Sequence, residues 1–116
     1  MHAEDIVKEL ENCLSYKQED SQIVITNKCD KQLNLKAIEV EYFVYIARSG
    51  MESTERVELG HLRKRVTERI TIDQALAPKS SLSIYFGIIR NLEAVYAIVE
   101  IGGKEYRIEA QKEESQ

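Results

Sequence analysis

The sequence of 116 residues predicts an all-β fold, an antiparallel β-sandwich of about seven or eight short strands behind a short N-terminal helix. Three observations lead to this fold class. Residues 37–47 (AIEVEYFVYIA) alternate at period two, and Gly102-Gly103 separates two further alternating runs. Turn residues recur about every eight to twelve positions between residues 22 and 110.

Residues 37–47 form the central strand of this prediction. The even-numbered positions are all apolar: Ile38, Val40, Tyr42, Val44 and Ile46. The odd-numbered positions change along the strand from acidic to aromatic: Glu39, Glu41, Phe43 and Tyr45. The apolar stripe fixes the register, because a slip of one residue would move the whole stripe into water.

The N-terminal segment 1–12 is predicted to form an amphipathic helix. Ile6, Val7 and Leu10 have helical spacing, and acidic residues occupy the first turn, where they favour the helix dipole. Residues 13–18 either continue this helix or form a strand, since apolar and polar residues alternate there. Residues 22–28 alternate more clearly and predict a strand.

Residues 55–72 fit two structures. Leu59, Leu62, Val66 and Ile70 could share one face of a helix, but Gly60 disfavours a helix by about 1 kcal/mol relative to alanine. The β-branched residues between 66 and 72 are more natural in a strand. We therefore predict two strands, roughly 55–60 and 65–73, with a basic turn between them.

Pro78 marks the next turn, because proline has no amide proton to donate inside a sheet. Residues 82–90 alternate after it and predict another strand. The strand 94–101 then leads into Gly102-Gly103, which predicts a two-residue hairpin. Closing this hairpin places three apolar pairs on one face: Val99 with Tyr106, Ala97 with Ile108, and Val95 with Ala110.

The predicted organisation is a helix in residues 1–12, a sandwich domain in 13–110 and a polar, frayed tail in 111–116. The strand order loosely suits an immunoglobulin-like topology. The chain has no tryptophan, so the Cys…Trp…Cys pattern of true immunoglobulin domains is missing.

Composition indicates a globular, non-membrane, cytoplasmic protein. The net charge is −4, and no apolar run approaches the ~18 residues of a membrane span. The N-terminus also lacks the apolar block of a signal peptide. The abundance of Glu, Lys and Ile is compatible with a thermophilic source.

Cys13 and Cys29 lack the spacing of a metal site. Free thiols in a reducing compartment are the leading prediction for them. The alternative is a disulfide joining the first two strands, which gains weight in a hyperthermophile.

No motif in the sequence predicts catalysis, and we expect no enzyme activity, no cofactor and no metal. His61 is the only histidine away from the terminus, and it lies in the predicted basic turn without a nucleophile context. Gly102-Gly103 is flanked by strands and does not open a helix, unlike a phosphate loop. The acidic residues 39, 41, 100, 105 and 109 are spaced like the solvated face of a sheet rather than a cation site.

The basic residues near position 61 give one functional alternative, a nucleic-acid-associated accessory protein. The cluster consists of His61, Arg63, Lys64, Arg65 and Arg69. Four fixed positive charges at one exposed turn could contact phosphates. No aromatic residue is interleaved with them in sequence, so a base-stacking platform is not expected.

Aromatic residues on the outward parity of the strands give the leading functional hypothesis. If the strands 37–47, 82–90 and 94–101 are neighbours, they present one tyrosine-rich patch: Phe43, Tyr45, Tyr85, Ile89, Tyr96 and Ile98. Such a patch is either covered by the N-terminal helix or used as an interface with a protein partner or a second copy. We predict a non-catalytic interaction module that binds through this patch.

Overall fold

The fold is described from a computed structural model, which describes residues 3–45 and 63–113. The chain order is α1 (Ala3–Glu11), β1 (Leu14–Glu19), β2 (Gln22–Asn27), β3 (Leu33–Tyr45), β4 (Arg63–Leu76), β5 (Ser81–Tyr85), β6 (Leu92–Ile101), β7 (Lys104–Glu109) and β8 (Gln111–Lys112). The protein is therefore mostly β with one short helix. None of the helical residues in these ranges forms a segment long and apolar enough to cross a membrane. The predicted strand 55–60 and His61 lie outside the described residues.

The strands form two four-stranded sheets. The first sheet has the order β5-β2-β1-β8, and the second has the order β4-β3-β6-β7. Every neighbouring pair is antiparallel except β1 and β8, which are parallel. This arrangement is compatible with the predicted all-β sandwich.

Both sheets contribute to one apolar core. The first sheet buries Ile23 and Ile25, and the second buries Ile38, Val95 and Ile108, all at 1% exposure or less. On β3 the apolar stripe continues through a bulge, since the register shifts between Leu35 and Ala37. The bulge adds one residue to β3, so Leu35 and Ile38 both remain in the core despite their different parity.

The predicted hairpin at residues 102–103 is confirmed. Val99 pairs with Tyr106 and Ala97 pairs with Ile108, and the Ala110 amide donates to the Val95 carbonyl at 2.9 Å. Gly102 and Gly103 have φ values of 59° and 84°, as a two-residue hairpin turn requires.

Within the described residues, the chain passes between the sheets four times: at residues 28–32, at residues 77–80, and twice more after β5. Of the two that follow β5, the first crossing is residues 86–91, between β5 and β6, and the second is Ala110, between β7 and β8. Helix α1 packs beside the second crossing, against β7 and β1, and buries Leu10 completely. Ile6 and Val7 pack against the same core.

Cys13 and Cys29 form a disulfide. Cys13 lies directly before β1 and Cys29 follows β2, so the antiparallel pairing of these strands brings the two residues together. The Lys28 amide also donates to the Cys13 carbonyl at 2.7 Å. The leading prediction of free thiols was wrong, and the alternative of a disulfide is correct.

The predicted strand 82–90 was partly wrong. β5 ends at Tyr85 and lies in the first sheet beside β2, not beside β3. The chain leaves the sheet here because the Phe86 and Gly87 amides both donate to the Ser21 carbonyl at 2.9 Å, and Gly87 has a φ of 107°. A strand cannot continue through such a bend.

The sequence predicted two features that the structure revises. The basic residues from Arg63 to Arg69 form the first half of β4, paired with β3, rather than a turn. Residues 111–112, predicted to belong to a frayed tail, form β8 against β1. The Glu113 amide extends this contact by donating to the Tyr16 carbonyl at 2.8 Å.

Candidate interaction surfaces

The face of the second sheet that points away from the core, called the outward face here, contains four of the six predicted patch residues. Phe43 and Tyr45 lie on β3, and Tyr96 and Ile98 lie on β6, the strand that pairs with β3. The other two residues lie elsewhere: Tyr85 is on the edge strand of the first sheet, and Ile89 is in the crossing 86–91. The six residues therefore do not form one patch on one sheet face.

Arginine side chains lie over two of the three aromatic rings on the outward face, those of Phe43 and Tyr96. The Arg107 guanidinium lies 3.6 Å from the centre of the Tyr96 ring. Those of Arg63 and Arg65 lie 4.4 and 5.3 Å from the centre of the Phe43 ring. Through these cation–π contacts, both rings already interact with arginines of the same chain. Helix α1 does not cover this face, because its apolar side packs into the core beside β7 and β1.

Glu39 connects the arginines at the centre of the outward face. Its carboxylate accepts hydrogen bonds from Arg107 Nε at 2.8 Å and from Arg69 at 3.2 Å. The hydrogen bond from Arg107, supported by the charges of both arginines, lowers the pKa of Glu39 below its usual value even though burial opposes this. In this network the arginines and the glutamate at the centre of the outward face are paired with one another.

The predicted phosphate-binding residues do not converge on one site. Arg63, Arg65 and Arg69 lie on the outward face of β4, while strand alternation places Lys64 on the opposite face. Arg65 lies 3.8 Å from Glu41, and Arg69 is engaged by Glu39. An aromatic ring is present after all, because Phe43 on the neighbouring strand lies beside Arg63 and Arg65.

An open groove lies between the crossing 86–91 and the ribbon formed by the end of β3 and the start of β4. We call it the end groove. Its volume is about 660 Å³, and its apolar lining consists of Tyr42, Phe43, Val44, Tyr45, Ile70, Tyr85, Phe86, Ile88 and Ile89. Tyr85 and Ile88 are each 77% exposed, Tyr45 is 59% exposed, and Val44 is 36% exposed. Four large apolar side chains are thus presented to solvent around one concave surface.

Hydrogen bonds fix the crossing that forms one wall of the end groove. Gln18 Nε2 donates to the Ile89 carbonyl at 2.6 Å, and the Phe43 amide donates to the Asn91 carbonyl at 3.1 Å. The Phe86 amide is held by Ser21, as described above. The wall is therefore attached to both sheets.

The floor of the end groove is also ordered. Tyr42 packs edge-to-face on Phe86, with ring centres 6.2 Å apart, and its hydroxyl donates to the Glu68 carboxylate. This hydrogen bond raises the pKa of Tyr42, because it stabilises the protonated phenol. Tyr42 belongs to the predicted apolar stripe of the central strand, but it and Phe86 are only partly buried at the end of the core, beside the groove.

The structure thus brings together four predicted patch residues, Phe43, Tyr45, Tyr85 and Ile89, at the end groove. Tyr96 and Ile98 are not among its lining residues. Ile88 was not among the predicted patch residues, because residues 82–90 were predicted as one strand and strand alternation places Ile88 on the face opposite Tyr85 and Ile89. Arg90-Asn91 directly after Ile88 and Ile89 was the available signal that this strand ended early.

Comparison with protein-family models, with curated proteins and with solved structures finds no match to this chain. Within residues 3–45 and 63–113, no group of three or more histidine, cysteine and acidic side chains is arranged to hold a metal ion. We therefore infer the function from the surfaces of the described residues.

Proposed function

We propose that the protein is a non-catalytic interaction module that binds a partner protein through the end groove. The class of function is the one predicted from the sequence, but the binding surface lies at the end of the sandwich and not on the outward face of the second sheet. The observation that carries it is the 77% exposure of both Tyr85 and Ile88 beside a hydrogen-bonded wall.

This exposure favours binding for a physical reason. Large aliphatic and aromatic side chains exposed together around one concave surface are a common feature of protein interaction sites, and tyrosine is enriched in binding hot spots. The wall is held to both sheets by hydrogen bonds, so a ligand would meet a preformed site and lose little binding energy in ordering it. Tyrosine adds a polar hydroxyl that can orient the bound segment.

The charges around the groove indicate the chemistry of the partner. Exposed Arg90 lines the groove, and Arg63, Lys64 and Arg65 lie at the start of β4 beside it. Glu68 is already hydrogen-bonded to Tyr42. We therefore propose a partner segment with one or two large apolar side chains next to acidic residues, since opposite charges favour encounter and register.

The test is to capture partners from the native lysate with the wild-type protein and then measure the affinity of the purified complex. Tyr85→Ser and Ile88→Ser should each weaken binding by about thirtyfold, the typical loss at a hot spot. Tyr96→Ser is the matched control, because it removes the same type of side chain from the outward face and should leave the affinity unchanged.

Other outcomes would select other functions. Loss of binding in Tyr96→Ser but not in Tyr85→Ser would return the interface to the outward face. A concentration-dependent dimer in light scattering, abolished by Tyr85→Ser, would make a second copy the partner. Binding to an RNA or DNA panel that is lost when Arg63, Lys64 and Arg65 become Ser would support the nucleic-acid alternative instead.

We also propose that the topology is immunoglobulin-like. Two features support this: β1, β2 and β5 are adjacent in one sheet, and β3 and β4 extend the β6–β7 pair in the other, the order of immunoglobulin strands A, B, E and C′, C, F, G. A solved structural neighbour with the same strand order would test this proposal.

Whether the proposed cytoplasmic location holds depends on the source organism, because the two cysteines form a disulfide. A disulfide between Cys13 and Cys29 persists in the cytosol of hyperthermophiles, whereas in other organisms it favours an oxidising compartment. Thiol titration of protein from the native host, alkylated at lysis, would decide between the two.

A further inference from the structure

A second, acidic pocket lies beside the crossing at Ala110. Its volume is about 460 Å³, and its charged lining consists of Glu11, Glu93, Glu109 and Lys112. Three carboxylates and one ammonium give this site a net charge of −2. It shares no lining residue with the end groove.

The carboxylates of this pocket differ from those on the outward face. Glu39, Glu41 and Glu105 each lie within 4 Å of an arginine. Glu11, Glu93 and Glu109 form no ion pair with any residue in the described ranges, and neither does Lys112. The negative charge of the pocket is therefore not neutralised by the neighbouring chain.

Tyr16 provides an independent observation at the same place. Its side chain is packed into the core and is only 4% exposed, yet it lines the acidic pocket. No hydrogen bond from the described residues reaches its hydroxyl. Every fully enclosed polar side-chain atom in these ranges has a partner, so the hydroxyl must be the part of Tyr16 that opens into the pocket.

Burial and the charges of two of these carboxylates act on the Tyr16 phenol. Burial and the negative charges of Glu109 and Glu93 together raise the pKa of Tyr16. The phenol is therefore protonated at neutral pH, and its oxygen remains available as a hydrogen-bond acceptor. The Tyr16 hydroxyl and the two carboxylates line one pocket, and none of the three accepts a hydrogen bond from another side chain or amide of the described residues.

We propose that this pocket binds an alkylammonium group, with its nitrogen seated between the Tyr16 hydroxyl, Glu93 and Glu109. An ammonium has three N–H donors, one for each of these acceptors, and its charge offsets the two carboxylates. Glu11 on α1 lies within the same pocket and can accept a second amine of the ligand. The methylene chain between the amines would lie against Ala110, which also lines the pocket.

The proposed chemistry has two sources, a linear polyamine and the lysine side chain of a partner protein. Calorimetric titration at low ionic strength with putrescine, spermidine and Nα-acetyl-lysine N-methylamide separates them. Binding of the polyamines alone indicates a small-molecule ligand, whereas binding of the lysine derivative as well indicates that a partner's lysine can enter. Added salt should weaken either, because screening reduces the attraction.

Three variants test the position of the site. Tyr16→Phe keeps the ring packing and should weaken amine binding about tenfold, since it removes one hydrogen bond to a charged group. The double variant Glu93→Gln, Glu109→Gln should abolish binding. Lys112→Met should strengthen binding, and a gain of affinity cannot come from misfolding. Circular dichroism of each variant monitors the fold.

The matched control is Glu100→Gln, Glu105→Gln, which removes the same charge from the opposite end of β6 and β7. It should leave the affinity for amines within about twofold of the wild-type value. Equal losses in the two double variants would mean diffuse attraction to an acidic protein, and absence of binding by the wild type at millimolar amine would overturn the proposal outright.

Discussion

The two crossings that follow β5 carry the chain between the sheets in opposite ways. At the second crossing a single small residue, Ala110, passes from β7 to β8 and is 4% exposed, with α1 packed beside it. At the first crossing six residues, 86–91, pass from β5 to β6 and leave Ile88 and the adjoining Tyr85 largely in solvent. One crossing is closed and the other is open.

The difference separates apolar side chains that stabilise the fold from apolar side chains that remain exposed. The closed crossing buries apolar surface at Leu10 and Ala110, and such burial is the main favourable term in folding. The open crossing is held by backbone and amide hydrogen bonds, so its exposed apolar side chains contribute little to folding. Side chains that the fold does not need, grouped around one groove, are candidates for binding.

The largest effect is expected at the closed crossing. Leu10→Ala should lower the free energy of unfolding by about 3 kcal/mol, because the side chain is fully buried and its removal leaves a cavity. Denaturant unfolding measures the loss. A change below about 1 kcal/mol would show that α1 is not an integral part of the core.

The disulfide strengthens the closed side and should rank next. Reduction, or the double change of Cys13 and Cys29 to Ser, should cost about 2–3 kcal/mol, because the bond closes a loop with a sequence separation of 16 residues. Thiol titration in denaturant should find no free thiol before reduction. Equal unfolding midpoints with and without reductant would contradict this prediction.

Local pattern accounts for what the sequence predicted well. The buried face of β3 over residues 38–42 and the hairpin at Gly102-Gly103 followed from period-two alternation and turn chemistry, both of which are short-range signals. The helix followed from the spacing of Ile6, Val7 and Leu10.

Long-range pairing accounts for what the sequence could not predict. Nothing in the alternation of residues 82–90 shows which sheet they join, so β5 was placed beside β3 instead of β2. The same limit applied to Cys13 and Cys29, whose contact depends on the pairing of β1 with β2. The arginines over Phe43 and Tyr96 come from neighbouring strands. Their position over these two rings could not be predicted without knowing the order of the strands.

The outward face should respond to pH in a defined direction. Glu39→Gln should cost about 1 kcal/mol at pH 7, because the carboxylate holds Arg107 and Arg69 in one network. The folded pKa of Glu39 is lowered, so its contribution is fully present above the unfolded value of about 4.3 and is lost as the pH falls through the folded pKa.

Unfolding of the wild type and Glu39→Gln should therefore be compared at pH 7 and at about pH 3, where the difference should be much smaller. Tyr96→Ser, which removes the ring beneath Arg107, serves as a second probe of the same network. A difference that stays constant across this range would mean that Glu39 acts through packing and not through its charge.

The smallest effect is expected at the open crossing, and it tests the central claim most directly. Ile88→Ser should change the free energy of unfolding by less than about 0.5 kcal/mol, because the side chain is 77% exposed. Ile84→Ser makes the same chemical change four positions earlier, on the inward side of β5, and should cost about 3 kcal/mol or more. Denaturant unfolding of this pair is the measurement. Unequal losses, large at 84 and negligible at 88, are predicted, and equal losses would show that the end groove exists for the fold and not for a partner.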